Sequence, residues 1–138
     1  MAVEGIEVGA TASFEKQITQ EDIVAYAGIS GDANPLHVDT EYAAMTRFKA
    51  PIAHGMLGAG LISAALGFKL APHAVVVYLG QTLRFRAPVS AGDTLSANVE
   101  ATEVDDERRR ITLNTVVTNQ DGTEVITGEA QIMLDAIR

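Results

Sequence analysis

The sequence predicts an α+β domain in which one buried helix lies against an antiparallel sheet. Its 138 residues suit a single domain, taken here as residues 1–138, and a chain of that size buries roughly 70% of its unfolded surface. The apolar stretch HGMLGAGLISAALGFKL, residues 54–70, is long enough for about four helical turns. From residue 74 onward the pattern changes to the period of two that β-strands show. A helix followed by closely spaced strands is typical of α+β folds.

The first predicted elements are a short strand and a capped helix. The strand is TASFEKQ, residues 11–17. Thr19 and Asp22 have the spacing of a capping box, in which each side chain accepts from the other residue's backbone amide, and they predict a helix start. Gly28 is expected to end this helix, because glycine is common just past helix C-termini.

A stiff polar loop, SGDANPLH at residues 30–37, comes next. Pro35 has a fixed φ and biases Asn34 toward an extended backbone. Asp39 is a suitable helix cap, and a second short helix is expected to follow it.

The central helix is predicted to be buried on most sides, because residues 54–70 are apolar nearly all round. Gly58, Gly60, Ala64 and Gly67 would allow another backbone to approach closely. Glycine costs roughly 0.5–1 kcal/mol relative to alanine inside a helix, so tight packing against a sheet should compensate.

Four strands are expected after this helix. They are predicted at residues 74–89, 93–104, 110–120 and 124–134. Turn signals at residues 105–107 and 121–122 separate the last three. Strands joined by such short turns should be antiparallel, and a sheet wrapped round the central helix would bury it.

Composition excludes several classes of function. A formal net charge of −8 argues against nucleic-acid binding, because an acidic surface repels phosphate backbones. The chain has no cysteine, which excludes disulfides, thiolate metal sites and a cysteine nucleophile, and which fits a reducing cytoplasm. Three scattered histidines do not match a zinc pattern, and no phosphate-binding loop or dinucleotide motif is present.

The sequence also predicts a soluble, cytoplasmic protein with no membrane partner. The N-terminus lacks a basic region followed by a long apolar run, so no signal peptide is expected. The most apolar stretch, near residues 55–68, is shorter than the about 20 residues a membrane span needs.

Asp32 and His37 are the first candidates for chemistry. Histidine titrates near neutral pH, and a neighbouring carboxylate can orient it or share its proton transfers. Five residues of separation in a proline-restricted turn can bring the two side chains to a common point. The alternative is that Asp32 caps a turn and His37 is an ordinary surface residue.

Three further residues have both a structural and a functional interpretation. Asn34 either forms an Asx turn or braces the loop and contacts a ligand. Gly55 either permits a turn or, at the helix N-terminus, offers its backbone amide to an anionic oxygen. Ser63 either bonds the carbonyl four residues earlier or supports a nearby carboxylate.

Arg84 and Arg86 alternate along one predicted strand and so lie on the same side of it. They form either a solvated face or part of a basic rim for a phosphate-bearing ligand.

Three segments carry a resemblance to a known family. YAGISGDANPLHVDTEYA, residues 26–43, resembles the hydratase motif of the MaoC-like (R)-specific enoyl-CoA hydratases. PIAHGMLGAGLISAALG, residues 51–67, resembles the central helix of that family, and YLGQTLRFRAPVSAGDTL, residues 78–95, its next strand and turn. The likeness runs in order over nearly the whole chain.

The resemblance implies the hot-dog fold, an antiparallel sheet around one long helix, with an insertion at about residues 19–53. It implies a catalytic dyad of Asp32 and His37, with the Gly55 amide as oxyanion donor. Asn34 matches the amide of the motif and Ser63 the position that supports the catalytic aspartate. It also implies a homodimer joined edge to edge through its sheets.

The implied reaction is reversible hydration of a trans-2-enoyl-CoA to an (R)-3-hydroxyacyl-CoA, without metal or redox cofactor, coenzyme A being part of the substrate. One alternative is a 3-hydroxyacyl dehydratase acting on acyl carrier protein thioesters in fatty-acid or polyketide synthesis. A hot-dog thioesterase and a non-catalytic acyl-thioester-binding module are two others. Acyl length and pathway are left open by the sequence.

Overall fold

The computed structural model describes residues 1–137 as one sheet with short helices. The strands are β1 Thr11–Gln17, β2 Ala74–Phe85, β3 Thr94–Asp105, β4 Arg110–Thr118 and β5 Glu124–Ala136. The helices are α1 Gln20–Ser30, α2 Pro35–Val38, α3 Thr40–Ala44 and α4 Gly55–Ala64, and a π-helical segment, Ala65–Leu70, continues α4. Within residues 1–137, no helix has the length and apolar character needed to cross a bilayer.

The five strands form one antiparallel sheet in the order β1-β3-β4-β5-β2, so β1 and β2 are its edges. The predicted strand at residues 11–17 is confirmed, as are the four later strands and their order. The strand predicted at residues 74–89 ends earlier, at Phe85. Pro88 explains this, since proline has no N–H to offer a sheet ladder.

The central helix packs on one face of the sheet, and both edge strands contact it, so the sheet wraps around it as expected. Ile62 and Leu66 on the helix are buried. One close approach is at Gly58, where a Cβ atom would lie 3.0 Å from Ile126 Cδ1. A side chain at position 58 would require Ile126 to move by a few tenths of an ångström, so the glycine favours this close packing, which offsets its cost in the helix.

The prediction that this helix is buried on most sides is wrong for the single chain. Met56, Gly60, Ser63 and Gly67 follow one another at helical spacing, and all four are exposed. We call them the open stripe of α4, which runs on into the π-helical segment at Gly67. The sheet covers only the opposite side of the helix. Met56, Gly60 and Gly67 carry no polar side chain, so the sequence did not distinguish this side from the buried one.

The capping box predicted for α1 is present. Asp22 N donates to Thr19 Oγ1 over 3.1 Å, and Thr19 N donates to Asp22 Oδ2 over 3.0 Å. The hydrogen bond from the Thr19 amide holds the pKa of the Asp22 carboxyl below its usual value, with Lys16 Nζ, 3.2 Å away, adding to the effect.

The expected end of α1 at Gly28 is wrong, because the helix continues to Ser30. Gly31 takes the left-handed conformation instead, with φ of 83°, and its N–H donates to the Ala27 carbonyl over 2.9 Å. A left-handed residue is what glycine supplies at a helix end, and here it directs the chain into the loop that carries Asp32.

Candidate active site

The loop from Ser30 to Pro35 is held by its own side chains. Asp32 N donates to Ser30 Oγ over 3.1 Å, and Asn34 N donates to Asp32 Oδ1 over 3.2 Å. Leu36 N donates to Asn34 Oδ1 over 3.0 Å, which makes Asn34 the N-cap of α2. Such local bonds fix a turn without tertiary help. The structure thus supports the turn-forming role of Asn34 and leaves the Asp32 carboxylate exposed.

His37 lies on α2 and is fixed by a bond to a distant carbonyl. Its Nδ1 lies 2.6 Å from the Ile52 carbonyl oxygen. Because a carbonyl only accepts, Nδ1 must carry the proton, and in the neutral ring Nε2 is then the free basic nitrogen. The half-buried ring is thus oriented with one nitrogen left for chemistry.

A third side chain, His54, completes the cluster, and the sequence analysis missed it. It is only 4% exposed, and its Nε2 donates to the Asp32 backbone carbonyl over 2.8 Å. Its ring stacks on that of His37, with centroids 3.8 Å apart and planes 24° from parallel, and Tyr26 packs near it. His54 Nδ1 is buried and has no hydrogen-bond partner within residues 1–137. A histidine directly before an apolar helix was the available signal.

Asp32, His37 and His54 each place one polar side-chain atom within 4.8 Å of the others. The proximity of Asp32 and His37 that the sequence suggested is therefore formed. Stacked imidazoles hold their lone pairs in nearly parallel planes, whereas a tetrahedral metal needs ligand atoms that converge on it. The arrangement suits proton transfer better than metal binding.

Gly55, the first residue of α4, lies at the wall of a cavity of about 440 Å³. Its N–H has no hydrogen-bond partner in the part of the chain described, as expected for the first turn of a helix. A Cβ atom at this position would lie 2.6 Å from Phe85 Cε1, another residue of the cavity wall. The glycine therefore lets an aromatic ring lie against the helix N-terminus.

The cavity is mainly apolar, of a size that suits a small-molecule ligand, and no aspartate or glutamate lines it. Arg47 and Arg86 both border it. Arg84 does not border it. Arg84 and Arg86 both border a second cavity, beside β2 and β5. Arg86 Nε donates to Thr127 Oγ1 over 2.9 Å. Of the two arginines considered for a basic rim, Arg86 therefore borders the apolar cavity, together with Arg47, and Arg84 does not.

Ser63 is not brought to Asp32 in the single chain. It lies on the open stripe of α4, two turns beyond Gly55, and within residues 1–137 it bonds neither Asp32 nor the carbonyl four residues earlier. The Asp32 carboxylate accepts from the Asn34 amide instead. Helical periodicity explains the difference, because it places Ser63 on the side of α4 that the sheet does not cover.

Fold and site together define a class of protein: a hot-dog domain whose carboxylate–imidazole pair is joined through His54 to an apolar cavity at the helix N-terminus. Comparisons with known proteins agree. The family model described as MaoC like domain matches residues 5–124. An (R)-specific enoyl-CoA hydratase of Rhodospirillum rubrum is 47% identical over 133 residues, which cover 96% of this chain and 91% of that protein.

A second (R)-specific enoyl-CoA hydratase, from Aeromonas caviae, is 42% identical over 134 residues, covering 97% of this chain and 99% of that protein. The structure of R-hydratase PhaJ1 from Pseudomonas aeruginosa, in the unliganded form, matches with a TM-score of 0.89 at 44% identity. That match covers 96% of this chain and 84% of PhaJ1. The chain belongs to the MaoC-like family, and the resemblance and the hot-dog fold expected from the sequence are confirmed.

Proposed function

We propose that this protein is an (R)-specific enoyl-CoA hydratase, which adds water reversibly across a trans-2-enoyl-CoA to give an (R)-3-hydroxyacyl-CoA. The observation that carries the proposal is the cluster of Asp32, His37 and His54, in which His54 and the adjacent Gly55 also form part of the wall of an apolar cavity. Two relatives named (R)-specific enoyl-CoA hydratase align over nearly the full chain and support it.

Asp32 and His37 act on one water molecule. The pair takes a proton from the water as its oxygen attacks C3, and it returns a proton to C2, so the protonation state of the pair is restored. Both groups reach the substrate from one side, so both additions occur on the same face. The two residues are close enough to share their protons, and the steps belong to the pair rather than to one residue each.

The Gly55 N–H, at the positive end of α4, stabilises the thioester oxygen as it gains enolate charge. One donor of this kind is typically worth roughly 3–4 kcal/mol. The acyl chain occupies the apolar cavity. Acid–base groups and one donor meet the needs of a hydration, which has no net redox change, so no metal or redox cofactor is required.

The first experiment is to mix purified protein with crotonyl-CoA and follow the loss of enoyl-thioester absorbance. The proposal expects a fall in absorbance and (R)-3-hydroxybutyryl-CoA as product. Faster reaction on the matching acyl carrier protein thioester would favour the dehydratase alternative. Binding of short, long and branched enoyl-CoAs without any turnover would overturn the proposal and leave a binding module.

The affinity for the coenzyme A part of the substrate tests whether Arg47 and Arg86 form a basic rim. Coenzyme A bears phosphates, and Arg47 and Arg86 both border the cavity. A double variant, Arg47→Ala with Arg86→Ala, is expected to raise KM for crotonyl-CoA about tenfold while kcat changes little, as for loss of uniform binding. Arg84→Ala is the matched control and should leave KM unchanged. Equal effects of the double variant and the control would contradict this assignment.

We also propose that the protein works as a homodimer joined along β2. This edge strand exposes several large apolar side chains: Val75, Val77, Tyr78, Leu79 and Phe85. An open apolar edge is unusual in a domain that works alone. Sedimentation velocity at micromolar concentration should give twice the chain mass of 14.6 kDa, and a monomer would refute the proposal. The cytoplasmic location stays a prediction.

A further inference from the structure

We infer that His54 is a positioning residue that sets the spacing between the Asp32–His37 pair and the Gly55 oxyanion donor. The inference rests on the proposed function. A hydratase must hold the thioester oxygen at one point and a water molecule at another, and the fixed length of the enoyl group links the two. Some part of the protein must therefore tie the two points together.

His54 makes contact with every part of this arrangement. It directly precedes Gly55 in the chain, its Nε2 donates to the Asp32 carbonyl over 2.8 Å, and its ring stacks on His37. The Asp32 bond spans 22 residues, so it joins two otherwise separate segments, the loop after α1 and the start of α4.

The segment that carries His54 is itself anchored. The carbonyl of Ile52 accepts from His37 Nδ1 over 2.6 Å, and the amide of Ala53 donates to the Val89 carbonyl over 2.7 Å. Four consecutive residues, 52–55, thus orient His37, join the strand region, hold the Asp32 backbone and present the oxyanion donor. The His54 ring is the only side chain among these four that bonds to the Asp32 loop within residues 1–137.

Histidine combines two properties that this position uses. Its Nε2–H satisfies the Asp32 carbonyl, and its flat ring fills the space against His37 in a site that is 4% exposed. Phenylalanine could fill the space but would leave the carbonyl without a donor. Glutamine has a planar amide and a donor that reaches a similar point. The two replacements therefore separate hydrogen bonding from packing.

The test compares His54→Phe and His54→Gln with the unmodified protein in the crotonyl-CoA assay. A displacement of about 1 Å can cost about 100-fold in rate. We expect His54→Phe to lower kcat roughly 10- to 100-fold with KM within about twofold, and His54→Gln to recover most of the loss. Unchanged kcat in His54→Phe would overturn the inference. Equal losses of kcat in both variants, accompanied by a fall in Tm, would also overturn it, because they would show that the residue contributes only through packing.

A second readout does not depend on turnover. Amide hydrogen exchange and backbone shifts of residues 30–37 report how firmly the loop is held, and long-range ¹H–¹⁵N spectra report which nitrogen of His37 carries its proton. His54→Phe should loosen the loop, and His54→Gln should not. If the unmodified protein hydrates no enoyl-CoA yet these spectra respond as expected, the proposed function fails and the positioning role stands. If the unmodified protein hydrates crotonyl-CoA but the spectra of His54→Phe and His54→Gln do not differ from each other, the positioning role fails.

Discussion

Asp32→Asn is expected to lower kcat for crotonyl-CoA hydration by at least about 100-fold, and His37→Gln by a similar factor, the usual scale for loss of a general acid or base. Asparagine cannot take up the proton that the Asp32 carboxylate shares, and glutamine has no counterpart to the free Nε2 of His37. Both are single changes within the cluster whose atoms lie within 4.8 Å of one another.

Folding should survive the Asp32 change. The carboxylate is exposed, and its bond from the Asn34 amide can be accepted equally by an asparagine oxygen. Circular dichroism and Tm should therefore match the unmodified protein while kcat falls. A variant with near-normal turnover would show that the pair does not carry the reaction.

Matched controls exist on the same chain. Asp39 caps α3 by accepting from the Tyr42 amide over 3.0 Å and lies outside the cluster, so Asp39→Asn should leave kcat unchanged. His73→Gln is the control for His37→Gln. His73 Nε2 donates to the Glu4 carbonyl, and this change should leave kcat unchanged. Ser63→Ala should lower kcat less than Asp32→Asn does. An equal loss of kcat would indicate that Ser63 contacts the substrate directly.

The second large effect concerns folding rather than catalysis. Gly128→Ala is expected to destabilise the protein by about 3 kcal/mol or more, the upper end for overpacking. A Cβ atom at Gly128 would lie 1.9 Å from the Thr82 carbonyl oxygen and 2.9 Å from its carbon. These are backbone atoms of the paired strand β2, so no side-chain rotation relieves the clash, and β2 must shift away from β5.

Urea unfolding measures this effect, with Gly28→Ala as the control. Gly28 lies within α1, and a Cβ atom there meets nothing within 4 Å. Its replacement by alanine should raise the free energy of unfolding by up to about 1 kcal/mol. If both variants unfolded at the same urea concentration as the unmodified protein, the close strand contact at Gly128 would be refuted.

Features governed by neighbouring residues could be predicted from the sequence. The capping box of α1, the strand at residues 11–17 and the meeting of Asp32 with His37 all depend on short spacings and local backbone limits. The errors arose where long-range packing decides. Either Gly28 or Gly31 could end α1 by local pattern. Which of them takes the left-handed conformation depends on how far the helix packs against the rest of the fold.

His54 shows the same limit at the site. Its contacts with Asp32 and His37 cross 22 and 17 positions of sequence, and no local pattern marks them. Arg47 lies in the predicted insertion, far in sequence from Arg86, and only the fold brings both to one cavity. Ser63 was placed correctly on the helix, but its side of that helix could not be read from a uniformly apolar segment.

The exposed edge of β2 has a consequence for newly made protein. A folded but unpaired copy would present a twelve-residue strand with a single charged side chain, Arg84, and such edges recruit other strands into aggregates. A net charge of −8 opposes this by keeping copies apart, yet it acts over the whole surface and not at the edge. The proposed pairing along β2 would therefore also protect newly made protein from aggregation.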